Sequence, residues 1–153
     1  MRNELVVSYF KDGLMMIGTY KESLLRKEVE ELVETAKWHR CMLDLSGKWL
    51  PDKYSGLEFE SAYMKNINTR NSTAFDKCKF NRVDLSYAWM FGNSFKGSLF
   101  TDVIIDHANL SHSDLSGARF FGVSFDKTNM FGIRRDKQTE FVHCNVGRAV
   151  HLD

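Results

Sequence analysis

The chain has 153 residues, of which 43% are hydrophobic and 27% charged, and its formal net charge is +1. This length suits one domain, or a small domain joined to a repeat body, with enough apolar side chains to fill a core. No run of about eighteen apolar residues predicts a membrane span, and a net charge so close to zero gives little attraction for nucleic acid.

The N-terminus and the cysteines predict where the protein is found. The first residues do not have the pattern of a signal peptide. Cys41, Cys78 and Cys144 are an odd number of cysteines, and we interpret them as structural thiols rather than disulfides. We therefore expect a cytoplasmic protein.

The first fifty residues predict a hairpin followed by a helix. Two β-rich runs, 5–10 and 14–19, flank an Asp-Gly pair, which is typical of a tight hairpin. Thr19 and Glu22 have the spacing of a capping box, so we expect a helix to begin there and to reach about Arg40. One face of this helix is apolar and consists of Leu25, Val29, Leu32, Val33 and Ala36.

A five-residue period follows and places a large apolar residue at every fifth position. These residues are Phe75, Phe80, Leu85, Met90, Phe95, Phe100, Ile105, Leu110, Leu115, Phe120, Phe125 and Met130. A small residue lies two positions before each of them. Because this period fits neither a helix nor a continuous strand, the unit is a short extended piece followed by a turn.

The stretches 83–86, 108–111, 113–117 and 118–122 share the pattern small, polar, Leu or Phe, polar, often Gly. This pattern resembles the pentapeptide-repeat family. The resemblance implies a right-handed quadrilateral β-helix, in which one square coil takes about twenty residues and the large and small residues point inward. The predicted fold class is therefore mainly β, a pentapeptide-repeat solenoid with a small N-terminal hairpin-plus-helix cap.

Two domains are expected within this fold. Residues 51–153 form the solenoid, and residues 1–50 cover its first coil, because an open solenoid end exposes unpaired backbone. Segment 51–56 is predicted to be a loop before regular winding. Shifts of one residue are expected before Thr73 and after Met130, and residues on successive coils, such as Phe80, Phe100 and Phe120, stack in ladders.

No catalytic or metal site is predicted. A coil filled by side chains has no concavity in which polar groups converge, and acids such as Asp84 and Asp114 occupy columns that stabilise turns. His107 and His112 project near neighbouring corners, but an isolated pair lacks the recurring ligands of metal-binding repeats. We expect no enzyme, no cofactor and no metal.

Large apolar residues in water-facing columns are candidate partner-binding residues. They are Tyr87, Trp89, Phe91 and Phe131 on one side of the predicted coil, and Leu99 and Phe121 on another. Two interpretations stay open. Either the N-terminal helix or a register-shifted segment folds over one of these two faces, or the side chains bind a protein partner or a second copy of the chain.

We predict a non-enzymatic protein that acts by protein–protein interaction and modulates a macromolecular target. The family resemblance implies one alternative, inhibition or protection of a bacterial type II topoisomerase, DNA gyrase, by DNA mimicry. Residues 57–153 contain 12 Lys and Arg against 11 Asp and Glu, whereas a DNA mimic presents an acidic rod. Direct nucleic-acid binding through the basic stretch 134–137 and Trp89 is a further alternative.

A homodimer through the C-terminal coil is also expected, since residues 149–153 are too few for a capping helix.

Overall fold

The computed structural model describes residues 5–151. Two strands and a helix precede a β-solenoid of about five turns, so the predicted mainly β solenoid is confirmed. The elements are β1 Val7–Lys11, β2 Leu14–Gly18, α1 Arg26–His39, β3 Met42–Asp44, β4 Trp49–Leu50, β5 Glu58–Tyr63, β6 Asn68–Thr69, β7 Lys79–Asp84, β8 Leu99–Thr101, β9 Arg119–Phe121 and β10 Glu140–Val142.

The predicted hairpin is confirmed. Strands β1 and β2 pair antiparallel, with Val7 opposite Gly18 and Lys11 opposite Leu14. The turn residues Asp12 and Gly13 have positive φ angles of 49° and 78°, as a two-residue turn between twisted strands requires. Strand β2 then pairs in parallel with β3, which connects the hairpin to the first coil of the solenoid.

Helix α1 begins later than the sequence predicted. The Thr19 hydroxyl accepts a hydrogen bond from the Lys21 backbone N–H at 3.1 Å, so it serves a local turn. The helix is instead capped at Leu25, whose backbone N–H donates to the Glu28 carboxylate at 2.9 Å. The predicted capping box was therefore wrong, and Leu25 is exposed rather than part of the apolar face.

The rest of the helix prediction holds. Val29, Leu32, Val33 and Ala36 are buried, and α1 packs on β2, β3 and β5. The helix ends at Arg40, which has a left-handed φ of 52°. The hairpin and helix thus cover the first coil with an apolar surface, as expected for a solenoid end.

The coils stack by parallel pairing, and their lengths are not all equal. Phe80 pairs with Phe100, and Phe100 with Phe120, twenty positions apart. The step is 21 positions from Asn68 to Trp89 but 20 from Ala74 to Ser94, which confirms the shift predicted before Thr73.

The second predicted shift is also confirmed. Asp114 pairs with Arg134 at a step of 20, whereas Arg119 pairs with Glu140 at a step of 21. The extra residue is therefore absorbed in the exposed segment between Arg134 and Glu140.

Solenoid winding begins before residue 51. Trp49 pairs with Asn68, and the Tyr54 N–H donates to the Ala74 carbonyl at 2.7 Å. The predicted loop over 51–56 was therefore wrong. Pro51 fits the coil because the corresponding N–H groups, such as those of Ser111 and Phe131, bond to side chains rather than to the next coil. The division of the chain into domains at residue 50 stays a prediction.

Aromatic rings fill the centre of the solenoid. The predicted ladder of Phe80, Phe100 and Phe120 is confirmed, with ring centroids 4.7 and 4.6 Å apart. Phe59 and Phe141 extend it by one ring at each end, at 5.1 and 4.9 Å. These distances are close to the spacing of hydrogen-bonded strands, about 4.8 Å, so ring stacking and backbone pairing are satisfied together.

Candidate partner-binding face

One wall of the solenoid carries most of the predicted site residues. It is built by segments 66–72, 87–92, 107–112, 127–132 and 148–151. Parallel bridges connect Asn68 to Trp89, Trp89 to Asn109, Asn109 to Asn129 and Asn129 to Val150, which places these five side chains in one outward column. We call this wall the aromatic face.

The aromatic face exposes large rings to solvent. Tyr87, Trp89 and Phe131 are 57%, 54% and 53% exposed, and Phe91 is half-buried. The alternation along the chain fixes this orientation, since Ala88 and Met90 on either side of Trp89 are buried. Helix α1 packs on β2, β3 and β5 and leaves the three exposed rings uncovered, so the N-terminal helix does not fold over this face.

Histidines order three of the rings into an array of two separate stacks. His107 stacks on Tyr87 with centroids 4.7 Å apart and planes 4° apart. The ring of His112 lies between Phe91 and Phe131, at 5.3 and 5.4 Å with steep interplanar angles of 62° and 81°. Phe131 also meets His151 at 5.4 Å and 78°. Aromatic contacts of this geometry are favourable, so the exposed rings of Tyr87 and Phe131 are held in place before any partner binds.

The sequence did not predict that His107 and His112 belong to this array. Both residues have a positive φ of 59° at corners of the coil. At Gly132, a Cβ atom would lie 2.8 Å from the imidazole of His112. Two features of the sequence indicate this array: the five-residue spacing of His107 and His112, and Gly132 twenty positions after His112.

The aromatic face contains no carboxylate. Its five segments include Arg70, Lys127 and Arg148 but no Asp or Glu. Two acids just outside the face pair with cations: Asp84 with Lys65 at 3.4 Å, and Asp126 with Arg148 of the face at 2.9 Å. The face is thus apolar, amide-rich and weakly cationic.

Leu99 and Phe121 lie on a different wall, in strands β8 and β9, and both are half-buried. Leu99 borders an open groove of about 1080 Å³ between α1 and this wall. The guanidinium of Arg119 lies 5.1 Å from the centre of the Phe121 ring. The structure therefore brings together four of the six predicted site residues and separates these two from them.

The described residues give little support for a metal site or for a reactive thiol. Across residues 5–151, no group of three or more His, Cys, Asp or Glu side chains is placed to hold a metal ion. Burial raises the pKa of the Cys78 thiol to about 12, so this thiol stays protonated at neutral pH. In the same range, no helix is long and apolar enough to cross a membrane.

Sequence comparison gives a family match. Residues 78–117 and 98–134 match the family model for pentapeptide repeats, with eight copies of the repeat. The chain matches no curated protein in sequence.

Solved structures show the same architecture. The chain is similar to the pentapeptide repeat protein Rfr23 from the cyanobacterium Cyanothece 51142, with 24% identity, 63% of this chain and 65% of that chain covered, and a TM-score of 0.60. For HetL, a pentapeptide repeat protein involved in heterocyst differentiation regulation from the cyanobacterium Nostoc sp. strain PCC 7120, identity is 15%, coverage 74% and 65%, and the TM-score 0.50. For the plasmid-mediated fluoroquinolone resistance protein QnrB1, identity is 18%, coverage 67% and 68%, and the TM-score 0.33.

These similarities concern the fold. The chain spans 65% of the length of each of the first two structures. The superposition on QnrB1 is poor, with a TM-score of 0.33. The five-residue pattern, the stacked coils and the family match agree with one another. Together they identify residues 78–134 of this chain as pentapeptide repeats within a β-solenoid.

Proposed function

We propose that this protein is a non-enzymatic interaction module whose aromatic face binds a protein partner. The observation that carries the proposal is the exposure of Tyr87, Trp89 and Phe131, each more than half accessible on one rigid wall. Tyr and Trp are enriched among residues that dominate binding energy, because they bury a large area with few rotatable bonds.

Order within the face favours binding. Ordering a flexible side chain at an interface costs about 0.5–1.5 kcal/mol. Tyr87 is already stacked on His107, and Phe131 lies between His112 and His151. Part of the side-chain entropy of these rings is therefore already lost during folding, so less is lost on binding and the same contacts give a higher affinity.

Gyrase inhibition or protection by DNA mimicry is less well supported by the charges. Asp84 and Asp126 pair with cations, and Asp114 has Lys96 at 3.5 Å and Arg134 at 3.7 Å. A DNA mimic needs a strip of uncompensated negative charge. A gyrase supercoiling assay that is unaffected by excess protein would remove this alternative.

The test compares a double substitution on the aromatic face with a single substitution on α1. Trp89→Ser with Phe91→Ser is expected to abolish capture of the partner from a bacterial lysate, measured by affinity pull-down and mass spectrometry. The control is Trp38→Ser, since Trp38 is 84% exposed on α1, away from the aromatic face, and should retain the partner. Circular dichroism and thermal melting should be unchanged in both variants.

Two results would contradict the proposal. A folded double variant that captures the same partner would show that the face is not the site. A double variant that unfolds would show that these rings act mainly as structural packing. The predicted cytoplasmic location stays a prediction.

A further inference from the structure

We propose that the partner segment bound by the aromatic face is acidic, with Asp or Glu side chains on both sides of a large apolar anchor. This inference rests on the proposed function and names the chemistry of its partner. It follows from the distribution of charge around the solenoid rather than from the net charge.

The chain separates its carboxylates from its exposed rings. From residue 57 to residue 151 it has ten Asp and Glu residues, and none of them lies in the segments of the aromatic face. The face does contain Arg70 and Lys127, and within residues 5–151 neither side chain forms an ion pair within 4 Å. An exposed cation without a partner is free to pair with an incoming carboxylate.

The two cations lie on opposite sides of Trp89. Arg70 follows Asn68, one coil before Trp89, whereas Lys127 precedes Asn129, two coils after it. Three coil steps correspond to about 14 Å along the rod, and the two residues also lie in different columns of the wall, so an extended segment needs more than about four residues to reach from one to the other. A segment that crosses the face diagonally, with acids on both sides of an apolar residue, would pair with both cations and place that residue over Trp89.

Hydrophobic contact and charge act together in this arrangement. The ring of Trp89 provides apolar area between the two cations, while Arg70 and Lys127 lie at the periphery. Peripheral charges mainly select the partner and accelerate its association. A basic or neutral segment with the same anchor would lack this selection.

Single-stranded nucleic acid is the competing anionic ligand, and the geometry favours it less. Successive bases stack on exposed ring faces, but one face of Tyr87 is occupied by His107, and His112 meets Phe91 and Phe131 at steep angles. Two unpaired cations also give few phosphate contacts, whereas nucleic-acid affinity grows with each one.

The experiment selects peptides from a random phage-displayed library on the full chain. Clones that bind the wild type but not the folded Trp89→Ser variant are expected to be enriched in Asp and Glu flanking a large apolar residue. One enriched peptide is then synthesised and titrated by fluorescence anisotropy. The double variant Arg70→Glu with Lys127→Glu should weaken its binding at least about tenfold, and high salt should weaken the wild-type complex.

The matched control reverses two charges elsewhere. Lys77→Glu with Lys137→Glu changes the net charge equally on exposed side chains outside the aromatic face, and peptide affinity should change less than twofold. Arg70→Gln with Lys127→Gln repeats the test without added negative charge. Circular dichroism shows that each variant is folded.

The outcomes separate this inference from the proposed function. Peptides that require Trp89 but show no acidic enrichment would overturn the acidic partner while leaving protein binding by the face intact. Failure to obtain any Trp89-dependent peptide would overturn recognition of a short acidic segment. Tighter Trp89-dependent binding of a fluorescein-labelled oligouridine would overturn it in favour of nucleic acid.

Discussion

Where Asp or Asn precedes the inward-facing large residue of a repeat, its side chain stabilises the coil. Oδ1 of Asp84 accepts the Ser86 N–H at 2.9 Å, and Oδ1 of Asn109 accepts the Ser111 N–H at 3.0 Å. These short local bonds satisfy N–H groups that do not reach the next coil. The expectation that such Asp residues stabilise turns is confirmed for Asp84 and Asp114.

Asp114 combines this local role with ion pairs. Burial opposes its ionisation, but hydrogen bonds from Ser116 and the charges of Lys96 and Arg134 keep the pKa of its carboxyl below the usual value. When a carboxyl pKa is lowered by folding, the unfolded chain takes up protons first as the pH falls. The stabilisation is therefore complete above the unfolded pKa of about 3.9 and is lost as the pH falls through the folded value.

The first prediction concerns Asp114→Asn. The amide can still accept the Ser116 N–H, but it removes the charge that pairs with Lys96 and Arg134. We expect the variant to melt at a lower temperature than the wild type at pH 7, and the difference to shrink below about pH 4. Thermal melts at the two pH values measure this, and a difference independent of pH would contradict it.

At the scale of elements, α1 shows how side-chain competition moves a helix boundary. Thr19 and Glu22 have the spacing of a cap, yet Thr19 bonds within its own turn and Glu28 reaches the N–H of Leu25. Glu28 also contacts Lys21, and these interactions keep its pKa below the usual value. Glu28 is therefore the residue that secures the start of the helix.

The second prediction follows from this correction. Glu28→Ala should lower the free energy of unfolding by about 0.5–2 kcal/mol, as expected for loss of a helix cap. Glu22→Ala, the matched removal of a nearby acid, should change it by less than about 0.5 kcal/mol. Urea denaturation of both variants measures the difference, and equal effects would mean that Glu22 contributes to the cap after all.

The sequence predicted repeated elements better than single boundaries. Two columns of residues repeat together, so the ladder through Phe100 and both register shifts could be placed without a structure. That Pro51 lies within a regular coil could not be predicted from the sequence, because a coil accepts proline only where the N–H group is not needed for bonding between coils. The array around His112 was also missed, since a corner residue's direction follows from a backbone angle that the five-residue pattern does not encode.

At the scale of the whole molecule, the two ends of the solenoid differ. Strand β1 of the hairpin and strand β10 are the outermost strands of the eight-stranded sheet. Helix α1 covers the first coil, whereas Phe141 in β10 is only half-buried at the other end of the ring stack. Leu152 and Asp153, which belong to the predicted C-terminal dimer contact, lie outside the described residues. An unpaired edge next to partly exposed core residues favours association with another chain.

The third prediction is the homodimer through the C-terminal coil. Light scattering at increasing concentration should give a mass approaching twice the 17.7 kDa of one chain. The Trp89→Ser variant should dimerise equally, because Trp89 lies three coil steps before Val150 in the C-terminal coil. A monomer at high concentration would contradict the dimer, and a dimer lost in Trp89→Ser would mean that a second copy occupies the aromatic face.

Coils of 19, 20 and 21 residues stack in this solenoid because one residue more or fewer than twenty is accommodated between the paired segments. Gene duplication or deletion of one complete turn would therefore leave every interior ring with an equivalent neighbour. Each such event would lengthen or shorten the rod by one strand spacing, about 4.8 Å. Evolution could in this way change the distance between the hairpin and any surface patch in fixed increments, without redesigning the interior.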